Sequence, residues 1–110
     1  MVDAQDLRAT LERMVETLEG FEEALDIKGK QTRIGEIDLL MADGNFWGSP
    51  DKAKVIVEEL STLRKAVTKF AGFHKRVVDT LGMLEMVEDE PDDAILEEIA
   101  TETAKLEAEL

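Results

Sequence analysis

The 110-residue sequence has no cysteine and no tyrosine, only two prolines, one tryptophan and one histidine, and just 5% of its residues are aromatic. Without cysteine there is no disulfide framework and no thiolate for a metal or redox centre, which fits a reducing compartment. So few aromatic and turn-forming residues exclude a β-sandwich or barrel, whose strands are built from aromatic and β-branched side chains punctuated by tight turns. Long apolar runs are missing as well. Charges interrupt every apolar cluster within a few positions, so nothing approaches the roughly 20 apolar residues of a membrane span. Met1-Val2-Asp3-Ala4-Gln5-Asp6 lacks the basic stretch and apolar run of a secretory signal, and a cytoplasmic location is the expectation.

What is present is charge of one sign. Twenty-six acids against 13 bases give a formal charge of −13, and 35% of residues are charged while 44% are hydrophobic. That composition can bury a core, unlike a disordered chain, but the core must be narrow. Elongated helices within a single domain fit the balance, with no internal repeat.

Periodicity sets out the helices. Ala4, Leu7, Leu11, Met14, Leu18, Phe21 and Leu25 alternate steps of three and four, the seam of a bundle or coiled-coil helix over about 3–24. Leu25-Asp26 followed by Lys28-Gly29 reads as a break between helices, and a second helix runs over about 28–42 with Ile34, Ile37, Leu40 and Met41 inward. Asp43-Gly44-Asn45 ends it, since these residues accept turn conformations. Ser49-Pro50 has the order of an N-cap and first helical position. From there Ile56, Leu60, Leu63, Val67, Phe70, His74, Val77, Leu81 and Leu84 sustain one stripe to about residue 88. Such a helix would be about 58 Å long at 1.5 Å per residue, with Gly72 and Gly82 as places for a bend. Pro91 interrupts the pattern, and a last, acidic helix over about 91–110 carries Ile95, Ile99, Leu106 and Leu110. The fold class is therefore all-α: an elongated antiparallel, coiled-coil-like bundle of three major helices plus an acidic C-terminal one. Leu110 closes the sequence without a helix stop signal, as expected of a chain that continues.

Chemistry is hard to find. His74 is the only histidine, and no H-E-x-x-H pair, P-loop, dinucleotide fingerprint or nucleophile elbow occurs. Glu22-Glu23, Glu58-Glu59 and Glu97-Glu98 are neighbours in sequence, but adjacent helical side chains point about 100° apart and do not converge on one atom. His74 is read as a seam-edge histidine. No catalytic, metal or cofactor residue is assigned. Two features remain for binding. Glu85–Leu110 holds eleven acids and one base, whereas Lys52–Arg76 holds seven bases and two acids. Arg64, Lys65, Lys69, Lys75 and Arg76 either pair with acids of neighbouring helices or form a contact surface for RNA phosphate or an acidic partner. Phe46 and Trp47, in a short loop before Pro50, either plug the end of the bundle or present an exposed anchor.

Leu25-Asp26, Arg33-Ile34, Ile37, Phe46-Trp47, Ser49-Pro50, Lys52-Ala53, Leu60, Leu63 and Leu84-Glu85 before an acidic break together resemble the N-terminal helical domain of the bacterial class 1 peptide chain release factors. The Phe-Trp pair at fixed spacing to Pro50 and Ala53 is the most specific element and favours the second type, release factor 2. The sequence departs from the family at Gly35 and at Gly44-Asn45, where a Pro-Asp pair is common. The family's Gly-Gly-Gln hydrolysis loop and Ser-Pro-Phe codon-reading tripeptide are absent: there is no Gly-Gly pair, and Ser49-Pro50 is followed by Asp51. The resemblance thus implies the first domain of a longer termination factor for UGA and UAA codons, without its catalytic and codon-reading domains. It implies docking on the ribosomal stalk base, RNA and protein, near the release-factor GTPase, with no DNA or membrane partner. The heptads alone would equally suit a free-standing coiled-coil adaptor or oligomerisation module.

Overall fold

A computed structural model describes residues 2–110, and among them there are only helices: α1 (Ala4–Ala24), α2 (Ile27–Ala42), a 3-10 helix (Gly44–Gly48), α3 (Pro50–Asp89) and α4 (Asp93–Glu109). The all-α expectation is met, with the long helix at its foreseen place. None of these helices is long and apolar enough to cross a membrane.

The helix boundaries have local causes. The expected break falls at Leu25-Asp26, Gly29 belongs to the first turn of α2, and Asp26 is that helix's N-cap. Asp26 takes a left-handed backbone (φ 50°), which aspartate tolerates better than most residues, and its Oδ1 accepts the Gly29 N–H at 3.2 Å. A Cβ on Gly29 would stand 2.1 Å from Asp26 Oδ2, so glycine is required if the carboxylate is to fold over the helix end. Asp43 closes α2 by donating its N–H to the Leu40 carbonyl, and its side chain accepts the Asn45 N–H at 2.9 Å to open the 3-10 turn. Ser49 opens α3 through its carbonyl, which accepts from the Ala53 N–H at 3.0 Å. Asp92, rather than a residue of the first turn, is the N-cap of α4 and accepts from the Ala94 and Ile95 N–H groups.

The helices form two compact units, each with its own core. The terminal unit comprises the chain up to Phe21 together with Gly72–Leu110. It buries Leu11, Met14 and Leu18 of α1, Val77, Leu84 and Val87 of α3, and Ile99 and Leu106 of α4. Thr80 and Thr103 are buried too, and each hydroxyl donates to the carbonyl four residues earlier, Arg76 and Ile99, at 2.7 Å. That satisfies their polar atoms inside the core. Only Glu90, Pro91 and Asp92 separate α3 from α4, so α4 returns along α3. The central unit, Glu22–Ala71, has a smaller core of Ile27, Ile37, Ala53 and Leu60.

This division corrects the picture of one continuous seam. The predicted stripe residues Leu63, Val67, Phe70 and His74 are only half-buried, and Phe21, Leu25, Leu40, Ile95 and Leu110 are exposed. A heptad stripe marks the face a helix can bury, but the depth of burial depends on how many neighbours meet it, and here deep burial occurs only within each unit's core.

Leu84→Ala is expected to cost about 3 kcal/mol in urea unfolding, because Leu84 is fully buried, whereas Met86→Ala, on an exposed side chain two residues away, costs under about 0.5 kcal/mol. Gly29→Ala should displace the Asp26 cap and lose about 1 kcal/mol, the reverse of the gain glycine-to-alanine changes usually give in helices.

Candidate interaction surface

The central unit carries the unusual side chains. The 3-10 turn, fixed by Asp43, holds Phe46 and Trp47 edge to face, with ring centroids 4.8 Å apart and planes at 85°. Trp47 Nε1 donates to the Met41 carbonyl at 3.3 Å, which ties the indole to the end of α2. Yet Trp47 is 54% exposed while Phe46 is half-buried, so the rings do not both plug the core. A short 3-10 turn points successive side chains in different directions, and only one of two neighbours can face inward. Phe46, Leu40, Ala53, Val55 and Ile56 line an open groove together with the polar Asn45, Ser49, Asp51 and Lys52. Leu39 (77% exposed) and Val55 (64%) add to the solvent-facing apolar area of this unit. Periodicity did not flag these two, and their signal was that they are apolar residues lying off the helix stripes.

The five basic residues, expected either to pair with neighbouring helices or to form a contact surface, fall in different units. Arg64, Lys65 and Lys69 lie in the central unit, Lys75 and Arg76 in the terminal one. Three of them are engaged within their own unit. Arg64 Nη2 bonds Asp38 Oδ1 at 3.0 Å, and Lys75 pairs with Asp79 one turn on. Arg76 grips α4: its Nη1 and Nη2 donate to the two carboxylate oxygens of Glu109 at 3.0 and 2.8 Å, and Nη2 also meets Glu102 at 2.9 Å. The Arg76 guanidinium further stands 5.8 Å from the Phe73 ring centre. Lys65 and Lys69 are exposed and make no ion pair among the described residues. His74 is half-buried in the terminal unit, and no group of three or more carboxylate or histidine side chains among the described residues could hold a metal.

Two further arginine clamps escaped the sequence. Arg33 Nε and Nη2 fork onto the two oxygens of Glu59 at 2.8 and 3.0 Å, joining α2 to α3. Arg8 Nε and Nη2 donate to Glu88 Oε1 at 3.0 and 2.6 Å, joining α1 to α3. Fork geometry is specific to arginine, since lysine offers a point charge with no paired donors. The hydrogen bonds from Arg33 hold Glu59 below the usual carboxylate range, against the opposing pull of desolvation. Those from Arg76 do the same for Glu109, with Lys105 adding to the effect. Arg8, Arg33 and Arg76 are each held protonated beyond the ordinary arginine range, chiefly by hydrogen bonds to Glu88, Glu59 and Glu109.

Charge is divided as unevenly as the cores. Seventeen acids against five bases leave the terminal unit at −12, whereas nine acids against eight bases leave the central unit at −1. Nearly the whole charge of −13 therefore belongs to one unit.

Fold and surface define an all-α chain of paired helices clamped by interhelical arginine forks, with one acidic unit and one near-neutral unit bearing exposed apolar side chains. Along nearly its whole length this chain resembles peptide chain release factor 2, in the manner of that protein's N-terminal domain. It is 29% identical over 108 residues to peptide chain release factor 2 of Exiguobacterium sp., covering 98% of this chain and 30% of that protein. It is 31% identical over 100 residues to that of Corynebacterium aurimucosum, covering 91% and 27%. With that of Staphylococcus aureus it shares 22% over 109 residues, covering 99% and 30%. The chain thus spans about 30% of the length of the curated relatives it matches. No family model matches it.

The clamps carry a pH signature. Because the folded pKa values of Glu59 and Glu109 lie below the unfolded value of about 4.3, their stabilisation is complete above about pH 5 and is lost as pH falls through the folded values. Arg33→Gln/Arg76→Gln should therefore unfold at lower urea than the parent at pH 7, and the gap between the two should close below about pH 4. Comparing the two chains at each pH cancels the relief of general acidic repulsion that both experience.

Proposed function

We propose that the chain is the ribosome-docking and positioning domain of a translation termination factor of the release factor 2 type, whose remaining domains read UGA and UAA codons and promote peptidyl-tRNA hydrolysis. The observation that carries this reading is similarity to release factor 2 across 98% of the chain while only 30% of the relative is matched. A domain-sized match of that kind supports giving the chain a share of the parent's work, and a sequence without Gly-Gly-Gln or Ser-Pro-Phe is in keeping with the parent's chemistry residing in other domains.

The physical division of labour follows from the surfaces. RNA is polyanionic, so a −12 unit is repelled by it, while the −1 unit with exposed Lys65 and Lys69 is free to approach. Trp47, Leu39, Leu40 and Val55 on the same unit offer the aromatic and aliphatic anchors that protein interfaces use. The central unit is accordingly the part that meets the stalk base, RNA through its lysines and protein through its apolar groove, and the release-factor GTPase would act nearby. Of the five basic residues, Arg64 and Arg76 serve mainly to hold helices together, and Lys75 pairs within α3. Phe46, packed edge to face on Trp47, and Pro50, which starts α3 just beyond the turn, are its structural neighbours.

The chain is expected to co-sediment with purified 70S ribosomes at low salt, to dissociate as salt rises, and to be displaced by intact release factor 2. Trp47→Ala and Lys65→Glu/Lys69→Glu should each weaken binding about tenfold with helicity unchanged by circular dichroism. Failure to sediment at any salt, or binding indifferent to both variants and to the competitor, overturns the proposal.

A further inference from the structure

The central unit is a helix pair and little else: α2 and the first half of α3, joined by the 3-10 turn and preceded by the last residues of α1. Two helices bury one stripe each, and here the stripes meet in a core of four side chains, Ile27, Ile37, Ala53 and Leu60. Apolar residues off those stripes need a further neighbour that the unit itself does not supply. Leu39 is the most exposed large apolar side chain among the described residues, and Leu40, Trp47 and Val55 are exposed as well.

Those four residues supply both halves of a contact. Leu40 and Val55 line the open groove, while Leu39 and Trp47, each next in sequence to a groove residue, stand exposed on the same unit. A surface that carries knob and groove together can pair with its own copy about a twofold axis, each filling the other. At −1 the central unit can meet a second copy almost without net repulsion, whereas two units at −12 cannot. Asp51 and Lys52 are opposite in sign, adjacent in sequence and both line the groove. They take no part in the unit's ion pairs, which join Arg33 to Glu36 and Glu59 and Arg64 to Asp38. Twofold pairing sets Asp51 of one copy against Lys52 of the other, twice over. The four exposed side chains offer on the order of 500 Å² per chain, or about 1,000 Å² for a pair, the lower bound of a specific interface.

We propose that the groove of the central unit receives a second copy of this chain, Leu39 and Trp47 of each entering the groove of the other, in a weak and reversible homodimer. The dimer stands on the surface of this unit alone, so it holds or falls independently of ribosome docking, for which the same groove would have to be vacated. Its salt dependence has the opposite sign to that of RNA binding. Two chains at −13 repel at long range while the contact between them is largely apolar, so added salt screens the opposing force and strengthens association. The two Asp51–Lys52 contacts are too few to reverse that sign.

Sedimentation equilibrium of the chain from about 10 μM to about 1 mM is expected to show the average mass rising from one chain toward two, with a dissociation constant on the order of 100 μM. High salt should lower that constant several-fold. Leu39→Glu and Val55→Glu, on exposed side chains, should each weaken association about tenfold with helicity unchanged by circular dichroism. At high salt Lys65→Glu/Lys69→Glu, the variant that weakens ribosome binding, should leave it intact. Asp51→Lys and Lys52→Asp should each weaken association about tenfold, and an equimolar mixture of the two should recover it, because each variant supplies the charge the other lacks. That recovery distinguishes a second copy from any other occupant. A chain that stays monomeric throughout this range at both salts assigns the groove to another partner and overturns the dimer. Association that weakens with salt, ignores Leu39→Glu and Val55→Glu, or is not recovered in the mixture overturns it equally.

Discussion

The architecture depends on α3 supplying two separate cores. A 40-residue helix with a narrow apolar stripe has to find enough neighbours to bury that stripe, and it does so at two places. Ala53 and Leu60 are buried with α2, and Val77, Leu84 and Val87 with α1 and α4. Hydrophobic stabilisation scales with area removed from water, so the intervening half-buried residues return less than their spacing promises. Each unit is consequently small, and small cores leave little margin. The arginine forks answer that constraint: they sit on the flanks of the stripes, where a carboxylate and a guanidinium retain some solvent and avoid the desolvation cost of a fully buried pair.

The forks also manage charge. With −12 on one unit, helices placed side by side repel one another, and a bundle of this composition needs cations at the contacts rather than spread evenly over its surface. Of the five bases in the terminal unit, Arg8 and Arg76 stand between helices and each faces two or more carboxylates on other turns. Thr80 and Thr103 work in the same direction from inside. They are short enough to let helices approach, and their hydroxyls are satisfied by their own backbone without enlisting a charge.

Much of this was legible in the sequence because it follows from short-range rules. The helix identities came from three-four spacing, the start of α3 from Ser49-Pro50 and the end of α2 from Asp43-Gly44-Asn45. The break between α1 and α2 falls at Leu25-Asp26 as foreseen, but Gly29 was counted in it because a glycine in sequence looks the same whether it ends a helix or makes room for a cap. Only the left-handed backbone of Asp26 distinguishes the two. The arginine pairs were illegible for another reason: Arg8 and Glu88 are 80 residues apart, and nothing local specifies which acid a base will meet. The surface reading fared similarly. For the basic residues the sequence offered both pairing with neighbouring helices and an outward surface without dividing them: Arg64 and Arg76 pair across helices, Lys75 pairs within α3, and Lys65 and Lys69 stay outside these pairs.

Two asymmetries run in parallel along this chain, and their alignment constrains any account of its role. The unit with the larger core is the charged one, and the unit with the smaller core carries the exposed tryptophan, the open groove and the unpaired lysines. A weakly packed unit is easily remodelled against a partner, because ordering a few side chains on binding then adds the burial that folding alone does not provide. A strongly acidic unit does the opposite: it resists association with anything anionic and keeps the chain from aggregating through its own surface. Contact-making and contact-avoiding properties are thereby divided between the two units. Under the proposed function this segregation lets the domain select where on a large RNA-rich particle it will settle.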